Sequence, residues 1–557
     1  MKSAQNQKEN DIFWEKLPWQ MQKSLFMGSE GKLHLLDLAE QALNNLNSSR
    51  ENTIFFLELA MDLLLQAWLK EPFDGELASH LLTLNSKRPC LASNIIPALK
   101  VVSASSYQPQ DLRYYQRLAE KREPDKTARF IRSQINKDPR NMYWWNQLYI
   151  LACFEHDWQM AAEVLDQDWP EQLAFAKAKI SADLAFFKGD PEQAAWHYQN
   201  CDFKQDAEAN FRWGNMQALL GNWQAACKGW KKCLELYPWL VNEILCIYDR
   251  LCVNAHQSPL TGKISILLFT YNKAAELDIT LQSLLNSNLG QSVIHVLNNA
   301  STDHTEEVLS KYQQKAGEHR LKYFSLPVNI GAPAARNWLL SLTQVKESDW
   351  ILFMDDDATV AHDWLENLGQ AVARYSDAGV WGCRVLDAHS PHLMQSVDLH
   401  LKSAQPVAEG QSSWQKRFEL SDLHHQCLDF GQFSYVRPCI SVTGCCHLFK
   451  AEDLLDSQGF DLRFSPTQYD DVEFDIRNAL NDKYAVYQGH AEIRHMKKSG
   501  KASIKSTADY TNSYANLYKL HHKYTQDEYN RLMEQEAEIL AEDFFYKAKE
   551  VWKALDI

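Results

Sequence analysis

A chain of 557 residues and 64.3 kDa, 45% hydrophobic and 23% charged, carries enough apolar material for roughly two to four packed domains and is not a largely disordered protein. Its formal charge of -15 opposes polyphosphate backbones and anionic membrane surfaces, so nucleic acid is a poor partner. The twelve cysteines include no paired C-x-x-C units and are too sparse for a disulfide scaffold, so reduced, mostly buried thiols are expected.

The opening MKSAQNQKENDIFWEKLPWQ has no uninterrupted apolar region and no small-residue cleavage site. No later stretch reads as the ~18 consecutive apolar residues of a spanning helix. The expectation is a cytoplasmic protein without a transmembrane segment.

Residues 1–255 read as helix after helix, as in Ile54–Lys70, where FFLELAMDLLLQAWLK sets apolar residues on one broad face. A weak repeat runs through Asp157–Ala162, Gly189–Ala195 and Gly221–Ala226, with double alanines recurring after 33 and 31 residues. The third unit, from Trp213-Gly214 through Ala218, Gly221, Ala225-Ala226 and Trp230 to Pro238, resembles the tetratricopeptide pattern. Such arrays dock a protein or peptide on their concave face or serve as a helical spacer.

Near Val253–Lys263 a polar joint containing Pro and Gly separates this region from one of different rhythm. Ile264–Phe269, Val293–Leu297, Leu321–Ser325 and Trp350–Met354 read as buried strands. Between them Glu276–Leu285, Asp303–Tyr312 and Pro333–Leu342 read as helices, the second opened by an Asp303-x-x-Glu306 capping box. This alternation predicts βαβ units and a mostly parallel, Rossmann-like sheet over residues 256–505, with ligands at the carboxyl ends of its strands. Residues 506–557, with helical periodicity in Gln526–Leu555, read as a helical tail.

The polar residues of this half fall at those strand ends. Asp355-Asp356-Asp357 follows the buried strand WILFM, and three adjacent carboxylates there suit a divalent cation with a polar ligand. The first strand ends in Phe269-Thr270-Tyr271-Asn272 and the second in Asn298-Asn299-Ala300-Ser301-Thr302-Asp303. Asn329-Ile330-Gly331-Ala332-Pro333-Ala334-Ala335-Arg336-Asn337 then feeds a helix through a tight turn.

In order and spacing these segments resemble family 2 glycosyltransferases of the GT-A fold. The resemblance runs from about Ile264 to His495 and includes Val442–Phe449 (VTGCCHLF), Tyr469–Phe474 (YDDVEF) and Ala491–His495 (AEIRH). It implies that Tyr271 stacks on the donor's base, flanked by Thr270 and Asn272, and that Asn298 or Asn299 bonds the base edge. Asp355 would hold the ribose, with Asp356 and Arg336 also on the nucleotide-sugar side. Asp357 and His495 would bind Mn2+ or Mg2+, and Asp471 would be the catalytic base.

Gly444 and Asp470 fall on the acceptor or diphosphate side. Lys497 and Lys498, in a basic run continuing to Lys505, form either a lid over the diphosphate or an exposed loop. Two departures from the family pattern are Asn298, where an acid is common, and Asp470, where Glu is usual. Cys439, Cys445, Cys446 and His447 lack the spacing of a zinc finger and read as core residues.

The implied activity is an inverting, metal-dependent transfer of a sugar from a nucleoside diphosphate, UDP favoured, to a polypeptide or glycan. The helical repeats would recruit the acceptor or a partner protein. A polysaccharide or lipid-linked acceptor, and a nucleotide-sugar-binding protein without turnover, are the alternatives. Gly28-Ser29-Glu30-Gly31-Lys32 lacks the spacing of a phosphate loop, and no G-x-G-x-x-G follows a strand.

Overall fold

The computed structural model describes residues 12–46, 50–121, 123–201, 205–253, 260–404, 414–421, 423–425, 427–497 and 506–556. The chain divides into two compact units, one of Met1–Ile247 with Lys549–Ile557 and one of Tyr248–Ala548.

The first unit is helical throughout its described residues. The three repeat segments open the second helices of three hairpins: Met142–Phe154 with Trp158–Leu165, Ala174–Phe187 with Pro191–Gln199, and Ala207–Leu219 with Trp223–Leu234. Asp157 and Asp190 cap their helices by accepting from backbone N–H groups, whereas Asn222 makes no such bond. In the third hairpin the helices meet at glycines. A Cβ on Gly214 would lie 2.6 Å from the buried Trp230 ring, and one on Gly229 would lie 3.0 Å from the Gly214 Cα. One helix, Asn52–Lys70, is long and apolar enough by composition to cross a membrane, and 61% of it is buried inside the protein.

The second unit is built on one mixed sheet. Its strands are β1 (Ile264–Thr270), β2 (Val293–Asn298), β3 (Leu321–Ser325), β4 (Trp350–Met354), β5 (Ala358–Val360), β6 (Val380–Asp387), β7 (Met394–Ser396), β10 (Val436–Cys439), β11 (Cys446–Lys450) and β12 (Ala485–His495). The short β8 (Leu401–Lys402) and β9 (Glu419–Leu420) pair apart from it.

The order is β10-β12-β6-β11-β4-β1-β2-β3, with β5 on β12 and β7 on β6. The four strands predicted from apolar runs form a wholly parallel half, β3-β2-β1-β4, with intervening helices at Ala274–Asn286, Thr305–Ala316 and Ala332–Leu340. Ile266, Leu268, Ile294, Val296, Leu352 and Leu281 are fully buried in its core, each contributing about 1.5–3 kcal/mol by burial.

Antiparallel pairing enters with β11, which runs against both β4 and β6, while β12 runs parallel to β6. This reversal positions the site. In the β11/β4 register Cys446 lies opposite Met354, so the loop before β11 meets the residues after β4. In the β12/β5 register His495 lies opposite Ala358.

The C-terminal helices Thr507–Lys523 and most of Gln526–Leu555 belong to this second unit. Asn516 donates to the carbonyls of Phe464 and Thr467 at 2.7 and 2.8 Å, tying the first of them to the loop before Asp470.

Candidate active site

The acidic run leaves β4 and its three carboxylates diverge. Lys273, just past β1, donates at 2.8 Å to both Asp356 Oδ1 and Asp357 Oδ2. Asp357 Oδ1 lies 3.1 Å from His495 Nε2, and Asp355 Oδ2 lies 3.6 Å from the same nitrogen. The Met496 N–H donates to the Asp357 carbonyl at 2.8 Å, so β12 delivers His495 to the carboxylates through backbone pairing.

Burial pushes the Asp356 carboxyl up to about 6 against the pull of Lys273. Burial likewise opposes ionisation of Asp357, but the His495 hydrogen bond and the Lys273 ammonium hold it well below the usual carboxylate range. Burial, partly offset by His495, raises Asp355. Asp356 is turned inward, 6% exposed, with its carbonyl accepting from Thr280 Oγ1 at 3.0 Å. It anchors the run to the helix Ala274–Asn286.

His495 Nδ1 lies 3.0 Å from Gln395 Oε1, and Gln395 Nε2 donates to Asp387 Oδ2 at 2.9 Å. The amide oxygen therefore faces the ring, fixing Nδ1 as the donor and turning Nε2 to the carboxylates. Lys273 and Gln395 lay outside the predicted set. Lys273 directly follows the Thr270-Tyr271-Asn272 motif and was within reach of the sequence, but no spacing pointed to Gln395.

Arg336 and the acidic pair opening the helix Asp470–Ala479 form the other side. The Arg336 guanidinium is buried among Phe269, Phe353 and Phe460, 5.1–5.9 Å from their ring centres, and is bonded to Asp470. Burial, opposed by Arg336, pushes Asp470 up to about 6. Arg336, predicted on the nucleotide side, thus fixes the loop that carries Asp471.

Asp471 is half-buried, and its Oδ2 accepts from the Gly444 N–H at 2.9 Å. A Cβ on Gly444 would lie 2.8 Å from that oxygen and 3.2 Å from Arg336 Nη2, so only glycine permits this approach. The nearby Glu473 turns away to Lys523, Tyr524 and Arg477.

The two sides are one residue apart. Gly444 holds Asp471, and the next carbonyl, that of Cys445, accepts from the Asp355 N–H at 3.2 Å. Asp355, Asp357, His495, Gly444, Asp470 and Asp471 therefore surround one strand-end locus.

The loops after β1 and β2 lie beside it. Tyr271 is 47% exposed, leaving its ring free to stack, while Thr270 is buried beside Asp356. The asparagines tie loops together. Asn272 Oδ1 accepts from the Thr302 N–H at 2.7 Å, and Asn298 bonds the Ser301 N–H, Glu306 and Ser325. Asn299 joins Asn329 and the Ile330 N–H.

The amides of Asn298 and Asn299 are thus committed to the protein, and Glu306 presents an exposed carboxylate at this edge. The predicted capping box does not form, because Glu306 serves Asn298 and Ser325 while Asp303 bonds Thr305 and the Ala274 N–H. Of the seven non-glycine residues with positive φ among those described, Asn272, Ala300, Gln468 and Tyr469 lie in these loops, where strained backbone commonly accompanies function. Lys497 is exposed, and Lys498 lies outside the described residues, as do Lys501 and Lys505.

Carboxylates and a histidine are gathered at the strand ends of this α/β sheet, where ligands of such sheets collect. Residues 265–436 match the family model for glycosyl transferase family 2, and this part of the chain is a domain of that family. An uncharacterized glycosyltransferase of Haemophilus influenzae is 34% identical over 103 residues, covering 18% of this chain and 39% of that protein.

Slight likenesses extend to solved structures. GalNAc-T7 with UDP, GalNAc and Mn2+ has a TM-score of 0.36 and 13% identity, covering 49% of this chain and 50% of that one. The mannosyltransferase PcManGT of Pyrobaculum calidifontis, in complex with GDP-Man and Mn2+, has a TM-score of 0.34 and 15% identity, covering 62% and 84%. The family match ends before Gly444, Asp471 and His495, which join the site through strand register and hydrogen bonds.

Proposed function

We propose that this chain is an inverting glycosyltransferase that moves a sugar from a nucleoside diphosphate, UDP favoured, to a polypeptide or glycan acceptor. The observation that carries this reading is the single locus in which Asp355, Asp357 and His495 stand one residue's reach from Gly444 and Asp471. The Asp357 carboxylate and the His495 imidazole, 3.1 Å apart, are a donor pair that fits a divalent cation, Mn2+ or Mg2+, and would be its ligands. When bound, such a cation supplies Lewis-acid stabilisation of the departing diphosphate.

The chain's own groups do the rest. Tyr271 stacks on the base, while Asn272, Asn298 and Asn299 hold the two loops that frame it. Asp355 holds the ribose. Asp471, fixed by the Gly444 amide, takes the acceptor's proton as the new bond forms on the face opposite the leaving group. Asp470, neutralised by Arg336, keeps that carboxylate in place.

The helical repeats recruit acceptor or partner, and the exposed Trp196 and Trp223 offer the contact surface. A reducing compartment, the cytoplasm, belongs to this reading.

Release of nucleoside diphosphate from a panel of nucleotide-sugars, with and without Mn2+, tests it. Metal-dependent release with one donor is expected, and its absence with every donor refutes transfer. For recruitment, the W196A/W223A double variant should lose kcat/KM on a polymeric acceptor while keeping donor hydrolysis. Unchanged transfer would show that the repeats do not dock the acceptor.

A further inference from the structure

Cys445 sits between the two halves of the site. Its thiol, the Asp355 carboxylate and the His495 imidazole each offer a donor atom within 4.8 Å of the other two. The side chain is 3% exposed, and its thiol enters no hydrogen bond among the described residues. The neighbouring Cys446 instead faces Cys383, and His447 bonds the Val442 carbonyl at 2.6 Å. Within this cysteine-histidine group Cys445 is the residue grouped with Asp355 and His495, brought there by the antiparallel register of β11 on β4.

We propose that Cys445 is a metal ligand, which makes the centre a mixed sulphur, nitrogen and oxygen site selective for thiophilic divalent cations such as zinc, cobalt or cadmium over magnesium. The proposal rests on the metal-dependent reading above and deepens it, moving Asp355 from the ribose to the cation. Asp355, Cys445 and His495 are three protein donors, the ligand number of reactive zinc sites, and with Asp357, whose Oδ1 lies 3.1 Å from His495 Nε2, as a fourth the centre would admit substrate by expanding to five-coordination. A carboxylate-only site suits magnesium or manganese, whereas a thiolate shifts preference toward softer ions. On binding, the S–H proton passes to solvent and the thiolate donates its electron pair to the cation, with no change of oxidation state.

The test uses the full chain, stripped of metal and titrated with Co2+ while binding is followed by calorimetry. The wild type and C446S should develop a near-ultraviolet sulphur-to-cobalt charge-transfer band. C445S should bind Co2+ without the band, with a dissociation constant raised by about 10–100-fold, the scale seen when a metal site loses a supporting group. Bound Co2+ without the band in the wild type, or a band that survives in C445S, overturns the proposal.

Should C445S fail to fold, X-ray absorption on the zinc-loaded wild type decides. A sulphur scatterer at about 2.3 Å is expected, and a shell of oxygen and nitrogen alone refutes it. Mn2+-dependent donor turnover together with a sulphur-free shell would overturn this inference and leave the transferase reading standing. Failure to take up any cation would overturn both.

Discussion

Both units bury charge, but they settle it differently. In the helical unit Lys70 pairs with Glu30 and Glu208, Lys179 with Asp206 and Glu208, and Arg212 with Asp183 and Glu208. Each of these carboxylates has a cation in direct contact. At the strand ends of the second unit, five carboxylates (Asp355, Asp356, Asp357, Asp470 and Asp471) meet Lys273, Arg336 and His495, and among the described residues Asp471 has no cation within ion-pair distance. A network closed on itself holds helices together, whereas one left short of positive charge is a candidate site for a ligand that brings it.

The sharpest way to break this contrast is to remove a carboxylate from each network. Asp357→Ala should lower metal-dependent release of nucleoside diphosphate by at least about 10^3-fold, near 4 kcal/mol of transition-state stabilisation. Its melting temperature should fall little, because Lys273 and His495 keep Asp356 and Asp355. Turnover that survives would mean that the acidic run is structural.

Next in size, Asp471→Asn should cost on the order of 10^2–10^3 in transfer while donor binding, read as a thermal shift with a nucleotide-sugar and Mn2+, persists. Equal loss of both would identify Asp471 as a folding residue and not a base.

The helical network should answer in the opposite currency. Arg212→Met leaves Asp183 and Glu208 buried with fewer partners and should destabilise by about 3 kcal/mol, with specific activity per folded molecule unchanged. Thermal unfolding alongside donor release separates the two effects. A variant with lost activity and intact stability would erase the distinction drawn here.

How far the sequence alone discloses this molecule follows from which forces are local. Apolar runs such as WILFM and ISILLF identified the parallel half of the sheet, because a strand buried on both faces must be apolar along its length. The motif residues at the ends of β1, β2 and β4 were legible for the same reason. Cys445, Gln395 and the Asn298 to Glu306 tie were not, because they depend on register between strands far apart in sequence. β11 brings residue 445 to residue 355, and no periodicity announces an antiparallel insertion. The Asp303-x-x-Glu306 capping box misled because its pattern is local, while Glu306 found stronger partners across the sheet edge.

The smallest effect probes the weakest point of the closed network. Glu243 is 3% exposed and accepts from Ser29 Oγ at 2.9 Å, and burial together with the nearby Glu30 pushes its carboxyl up to about 8. The unfolded chain ionises it near pH 4.5, so between pH 4.5 and 8 the folded state holds a proton that the unfolded state has lost. Stability from this group therefore declines as pH rises through that window and levels off above it. Glu243→Gln, which cannot ionise, should remove the decline and gain about 1–2 kcal/mol relative to wild type between pH 5 and pH 8. The difference between the two unfolding midpoints should widen with pH. A constant difference would mean that Glu243 is already ionised at pH 5, with Lys70 as its counter-charge, and the helical network would then be as complete in anions as in cations.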